Sequence, residues 1–117
     1  MGAFVISKRF NGEYKFVYTS RKGKVIFTSS GYPTKDACES DIEVVKLKAT
    51  HESFLCAKSA SGKYSFRLSI NERVLATSRK YSTELRMKKG IDEIIRYGSF
   101  SEVLDFSDSD FIFSDSE

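Results

Sequence analysis

The chain has no tryptophan, one proline, one histidine and two cysteines among its 117 residues. Each scarcity excludes something. Structural zinc takes four Cys or His ligands at close spacing, and Cys38, Cys56 and His51 are the only three such residues. His51 has no cysteine or hydroxyl fixed near it by spacing, so it reads as a solvated residue of a connector rather than half of a nucleophile–base pair. No glycine-rich phosphate loop occurs. No apolar run reaches the length of a signal peptide or a membrane span, so the expected location is the cytoplasm, with no membrane partner. Two cysteines in such a chain are expected to stay reduced. These absences lead to a non-enzymatic reading with no catalytic residue, no metal and no cofactor.

What is present is a hydrophobic content of 40% with 30% charge, ordinary for a globular chain of one-domain size. Ten phenylalanines and six tyrosines lean the composition towards strands. Charge is unevenly placed. All 19 Lys and Arg precede Tyr97 and face ten acids there, a net of +9, whereas residues 98–117 carry six acids and no base, a net of −6. A basic body with an acidic tail suits polyanion binding or self-masking, and solvated elements without any partner produce the same pattern.

The chain is organised by an internal repeat. Gly12, Tyr14 and Phe16 return as Gly62, Tyr64 and Phe66; Val25, Thr28, Ser29, Tyr32, Thr34 and Ile42 return as Val74, Thr77, Ser78, Tyr81, Thr83 and Ile91. A unit of about fifty residues is near the lower limit for folding alone, so two copies are expected to share one core. The expected boundaries are repeat one at 1–50, repeat two at 51–106, together a single domain over 1–106, and an acidic, disordered tail at 107–117 in which Phe111, Ile112 and Phe113 form an aromatic knot able to dock on an apolar groove.

Within each copy the hydrophobic period is two and then lengthens. Residues 3–8 read as a strand, Asn11-Gly12 as a two-residue turn with positive φ at both positions, and Tyr14, Phe16 and Tyr18 as the apolar side of a second strand. Lys22-Gly23 reads as a bulged turn before a third strand over 24–29. After Pro33, Thr34 is a good N-cap with Asp36 in the first turn, and Cys38, Ile42 and Val45 define a buried helix face. The second copy repeats this with strands at 54–58, 64–70 and 74–78, Asn71-Glu72 as a shorter turn, and a helix capped by Thr83 that buries Met87, Ile91, Ile94 and Ile95. Gly90 is expected to kink or end that helix early. Residues 102–106 make a last short strand. Cys38 stands where the second copy has Met87 and Cys56 where the first has Ile6, so both are expected in the core. The acidic pairs Asp41/Glu43 and Asp92/Glu93 are expected on solvated outer helix faces.

The pattern Asn11-Gly12-x-Tyr14-x-Phe16, Val25-Ile26-x-Thr28-Ser29, Tyr32-x-Thr34-Lys35 and Ile42-x-x-Val45-Lys46, matched by Gly62-x-Tyr64-x-Phe66, Tyr81-x-Thr83 and Gly90-Ile91, resembles the YegP-like family, small bacterial proteins of uncharacterised function. Val103-Leu104-Asp105-Phe106 looks like that family's usual end. The resemblance covers residues 2–106. It implies an α+β fold: two tandem β3α repeats forming one antiparallel sheet with two helices on one face, an arrangement that single-repeat members are expected to reach as homodimers. It carries over no catalytic residue. Asp41 departs from the glycine that the family often has before the helix isoleucine, so the first helix is expected to end differently from the second.

If the helices cover the face of Tyr14, Phe16, Phe66 and Leu68, the opposite face shows Lys15, Val17, Thr19, Ser65, Arg67 and Ser69. Lys15, Thr19, Ser65 and Arg67 are the candidate binding residues of that open face. It lacks the aromatic platforms on which bases stack, so an unknown protein partner or self-association ranks above a weak, charge-driven nucleic-acid contact moderated by the acidic tail. A monomer is expected over a dimer because the repeat is already duplicated.

Overall fold

The computed structural model describes residues 2–107. The knot at 111–113 and the rest of the acidic tail beyond Ser107 lie outside the described residues. Strands β1 (Ala3–Lys8), β2 (Tyr14–Thr19) and β3 (Val25–Ser29) lead into helix α1 (Lys35–Lys48); β4 (Phe54–Lys58), β5 (Tyr64–Ile70) and β6 (Arg73–Ser78) lead into α2 (Glu84–Tyr97); β7 (Glu102–Asp105) closes the chain. The seven strands form one sheet in the order β4-β5-β6-β3-β2-β1-β7. β3 and β6 meet at its centre, Thr28 opposite Thr77, so the two halves are joined by a continuous ladder.

The sheet is mixed rather than wholly antiparallel. β7 pairs parallel with β1, Ala3 beside Glu102 through Ile6 beside Asp105. A hairpin cannot deliver a parallel neighbour, whereas a return through a helix can, and α2 with the 3-10 turn Gly98–Phe100 makes that return. Ser101 fixes where it lands: its hydroxyl donates to the Tyr97 carbonyl at 2.7 Å and lies 3.0 Å from the Tyr18 hydroxyl of β2.

Alternation gives the sheet one buried face. Phe4, Ile6, Phe16, Tyr18, Phe27, Phe66 and Leu68 are essentially inaccessible and pack under Cys38, Ile42 and Val45 of α1 and Met87, Ile91 and Ile94 of α2. Each such side chain stabilises the fold by about 1.5–3 kcal/mol. Both helices begin alike: the Thr34 hydroxyl accepts from Ala37 N and the Thr83 hydroxyl from Arg86 N, each at 3.1 Å. Both run unbroken for 14 residues, so Gly90 neither kinks nor shortens α2, while the two ends do differ: Ala49 leaves α1 in extended backbone, whereas Gly98 stays helical and leads into the 3-10 turn. Gly90 has a packing reason instead. A Cβ there would stand 2.6 Å from the Tyr81 hydroxyl.

Three of the four hairpin loops share one geometry. Arg9, Ser20 and Ser59 each donate a backbone N–H to the residue four ahead and accept from Gly12, Gly23 and Gly62, which have φ of 89°, 85° and 87°. Only the glycine is left-handed in these loops, so Asn11-Gly12 is a bulged turn rather than the two-residue turn its dipeptide suggests. Asn71 and Glu72, at φ 55° and 65°, form the one true two-residue turn.

Candidate functional site

The face opposite the helices is uncovered. Following the ladder across it, Leu55, Arg67, Thr77, Thr28, Val17, Val5 and Leu104 stand side by side, one from each strand. At about 4.8 Å per strand this row spans roughly 29 Å. Val25 and Val74 flank it opposite Thr19 and Ser69, and with Leu55 they are 40–53% exposed. The face is therefore a strip of branched aliphatic and hydroxyl side chains with one arginine.

All four candidate residues lie on this face, in two separated pairs. Lys15 and Thr19 belong to β2, Ser65 and Arg67 to β5, and β3 and β6 run between them, about 14 Å from pair to pair. The Thr19 hydroxyl already donates to the Ala3 carbonyl at 3.3 Å, and Arg67 is exposed between Leu55 and Thr77. The sheet does not gather the four into one cluster.

The helix side holds two further features, one in each half, where a tyrosine leaves the end of the third strand and turns under a helix. Tyr14 bridges Tyr32 and Tyr64 bridges Tyr81. The buried N–H of Phe16 donates to the Ser29 hydroxyl and that of Phe66 to the Ser78 hydroxyl, each at 2.9 Å. Those serines satisfy donors that the ladder cannot reach once the third strand has turned away.

Under α1, the Tyr32 hydroxyl donates to Asp41 Oδ2 at 2.7 Å, and Arg73 of β6 grips the same carboxylate, Nη2 to Oδ1 at 2.8 Å and Nη1 to Oδ2 at 3.3 Å. Asp41 is thus buried and bonded, not solvated on an outer face as its spacing from Glu43 suggests, because its place on α1 points at the sheet. Burial alone would raise its pKa, but the hydrogen bonds from Arg73 and Tyr32 outweigh burial and hold the carboxyl below its ordinary value. Burial and the adjacent carboxylate push the Tyr32 phenol well up.

Under α2 the corresponding position is Gly90, and the Tyr81 hydroxyl fills the space that a side chain would take. Arg79 lies over the Tyr81 ring, 5.1 Å from its centroid. Beside them is an open hollow of ≈ 390 Å³ whose wall includes Lys22, Lys24, Arg86 and Lys89. These bases come from two stretches far apart in sequence, 22–24 and 79–89, which only the pairing of the two halves brings together.

The remaining reactive types are dispersed. Cys38 is buried, as expected, and burial pushes its thiol up to about 12. Cys56 is exposed rather than in the core, because β4 is an edge strand whose cover ends at Phe54 and leaves its remaining residues exposed. His51 Nε2 lies 3.5 Å from Asp92 Oδ1 at the surface. Among the described residues no three His, Cys, Asp or Glu side chains converge, and no helix is long and apolar enough to cross a membrane.

Comparison with known proteins follows the same division of the chain. The family described as a domain of unknown function, DUF1508, matches residues 11–53 and again residues 59–105. A UPF0339 protein of Photorhabdus laumondii is 33% identical over 112 residues, 94% of this chain and 98% of that one. YegP of Escherichia coli K12 is 30% identical over 106 residues, 89% and 96% of the two chains. The solution NMR structure of E. coli YegP, a protein of unknown function, is similar with a TM-score of 0.84 at 26% identity, covering 92% of this chain and 95% of that one. That of a UPF0339 protein from Shewanella oneidensis also gives 0.84, at 28% identity over 91% and 92%. Matched twice by one family and sharing nearly its whole length and fold with bacterial relatives, the chain belongs to the DUF1508 family, the YegP-like UPF0339 proteins.

Proposed function

We propose that this chain is a small, non-enzymatic protein-interaction module of the cytoplasm, built by tandem duplication of a three-strand-and-helix unit and acting as a monomer. The observation that carries the reading is the uncovered sheet face. A strip seven strands wide displays Val5, Val17, Val25, Val74, Leu55 and Leu104 among threonines, with no aromatic side chain in its cross-strand row. Such a surface suits a protein partner better than stacked bases. Arg67, exposed between Leu55 and Thr77, offers an anchor for a carboxylate of that partner.

Duplication is supported by the element order, the paired Tyr14–Tyr32 and Tyr64–Tyr81 bridges and the double family match. A duplicated unit supplies both halves of the central β3–β6 ladder within one chain, which favours a monomer. The non-enzymatic reading draws support from Asp41 and Cys38, both buried and removed from solvent.

The test is affinity capture from native lysate with wild type and a Val5→Lys/Val17→Lys variant, with and without nuclease, at two salt concentrations. A catch that survives nuclease and salt and disappears with the variant is the expected result. A catch abolished by nuclease and by salt favours the runner-up, nucleic-acid binding moderated by the acidic tail, because phosphate contacts release counterions. Equal capture by wild type and variant removes the open face from the reading. Sedimentation of the pure chain reads self-association directly.

A further inference from the structure

The hollow beside α2 has two properties that its counterpart under α1 lacks. The first is uncompensated charge. Lys22, Lys24, Arg79, Arg86 and Lys89 all line it. Among the described residues none of the five has a carboxylate within salt-bridge distance, whereas Lys35, Arg73 and Lys88 each have one. The one acid in the wall, Glu93, accepts from the backbone N–H of Arg21 at 3.3 Å. The second property is an unsatisfied donor. Tyr81 is 7% exposed, and its hydroxyl has no hydrogen-bond partner among the described residues. The other two buried tyrosines are satisfied, Tyr32 by Asp41 and Tyr18 by Ser101. Buried polar groups are nearly always paired, so an orphan at the wall of a cationic hollow points to an acceptor from outside.

We propose that this hollow binds a multivalent phosphate anion, the Tyr81 hydroxyl donating to one phosphate oxygen while Lys24, Arg86 and Lys89 neutralise the charge. The α1 half shows the logic with a built-in anion. There the tyrosine O–H and a cation from the neighbouring hairpin strand, Arg73, converge on the Asp41 carboxylate. Under α2 the tyrosine and a corresponding cation, Lys24, are both present, and the position of the carboxylate is Gly90. The chain supplies the anion in one half and supplies none in the other, where the Tyr81 hydroxyl stands against the bare helix with the cations of the hollow beside it. Burial raises the Tyr81 pKa, against the opposing pull of Arg79, so the phenol keeps its proton and serves as a donor at neutral pH.

Size favours a small ligand over a nucleic-acid backbone. A hollow of ≈ 390 Å³ is in the range of small-molecule sites, and a second of ≈ 420 Å³ shares Ser20, Lys22 and Glu93 with it, leaving room for an organic group beyond the phosphates. A nucleic acid would need a track of cations and stacking surfaces continuing from it, and the cross-strand row on the far side of the sheet offers neither an aromatic platform nor a run of bases.

The test is titration of the full-length, isotope-labelled protein with inorganic pyrophosphate and, separately, a nucleoside diphosphate, at constant ionic strength, read by NMR. Saturable shifts confined to the amides of 20–24, 79–82 and 86–90 are expected. Tyr81→Phe, which keeps the ring, should weaken binding about tenfold, as loss of one hydrogen bond to a charged group does. Arg86→Gln with Lys89→Gln should weaken it about a hundredfold, and Lys63→Gln, an equal loss of charge at a distant hairpin tip, should leave it unchanged. Folding of each variant is checked from its own spectrum. Shifts that never saturate, that spread over every surface lysine, or that are the same in Tyr81→Phe overturn the proposal. So does an oligonucleotide that binds the same residues and is not displaced by pyrophosphate. None of these readouts involves the open face, so their failure leaves the interaction reading standing.

Discussion

Tyr32 and Tyr81 do the same structural work at the two ends of the central ladder, and their surroundings differ in almost every charge. Around Tyr32 the neighbouring positions are Ser30, Ala37, Ser40 and Asp41; around Tyr81 they are Arg79, Arg86, Lys89 and Gly90. The first tyrosine is locked by a carboxylate, which Arg73 in turn holds from the other half. The second is packed against a bare helix backbone under a ring of cations. Where two halves share a scaffold, differences at corresponding points separate what the fold requires from what it permits. The fold requires the tyrosine bridge and the serine hydroxyl under each third strand. It permits either a buried carboxylate or a glycine at the helix position above.

The largest way to break that contrast is Asp41→Gly, which gives α1 the glycine of α2. It removes the acceptor of a buried phenol and places glycine inside a helix. Loss of a hydrogen bond to a charged group and the helix cost together predict destabilisation by about 2–3 kcal/mol. Little of this comes from the ion pair itself, because the Arg73 side chain is 57% exposed and solvent screens it. Urea unfolding measures the loss; a change below about 1 kcal/mol would mean that Tyr32 finds another acceptor.

Acid separates the halves without a glycine. The folded Asp41 carboxyl lies below its unfolded value, so its contribution is fully present above the unfolded carboxylate pKa of about 3.9 and disappears as pH falls through the folded value. Wild type is therefore expected to lose stability below about pH 4 more steeply than Asp41→Asn. The difference is partial, since Asp105, which also lies below its ordinary value, keeps a slope of the same sign through its bonds to Ser107 and Lys35. Identical slopes in urea melts at pH 3–5 would contradict the assignment.

The shared part of the scaffold is sharpened by Ser29→Ala and Ser78→Ala. Each leaves a buried N–H, of Phe16 or Phe66, without its acceptor, at a cost of about 1–2 kcal/mol. The two costs should agree within about 0.5 kcal/mol because the local geometry is the same in both halves, and hydrogen exchange at Phe16 and Phe66 should accelerate in step. Gly90→Ala is smaller. The gain of about 1 kcal/mol from replacing a helical glycine opposes the cost of about 1–3 kcal/mol of overpacking against Tyr81, whose ring is held in the core. A net loss of about 1 kcal/mol is expected, with altered aromatic NMR shifts of Tyr81; a net gain would show that the phenol moves aside freely.

Much of this scaffold is legible in the sequence. Tyr14, Phe16 and Tyr18, and Phe66, Leu68 and Ile70, alternate because one sheet face is buried, and Thr34 and Thr83 mark helix starts because both hydroxyls cap. What escapes is long-range. Period alone cannot say that β7 lies beside β1 in parallel, since that depends on where α2 returns the chain. Asp41 reads as solvated because carboxylates usually are, and only the arrival of Arg73 from a strand of the other half makes its burial tolerable. The candidate face is legible as a set of alternating residues, while the spacing of Lys15 and Thr19 from Ser65 and Arg67 depends on strand order, which puts two strands between them. The cationic hollow draws on Lys24 and Arg86, far apart in sequence, so no local window contains it.

The smallest effect concerns the two thiols, and it tests the same lesson about edges. Cys56 occupies the register of the core face, opposite Phe66, yet it is exposed because the cover of this edge strand ends at Phe54. Cys38 lies on the buried face of α1 with no accessible surface, and burial, with nearby Glu39 and Asp41 adding to it, pushes its thiol up to about 12. Reaction requires both access and a thiolate. A thiol reagent at pH 8 should therefore label one cysteine in the native protein, at Cys56, and a second only as fast as the chain unfolds. Cys56→Ser should abolish the fast phase and change stability by less than about 0.5 kcal/mol, as an exposed edge position does. Two fast equivalents would mean that α1 lifts from the sheet far more often than the packing of Ile42 and Val45 implies.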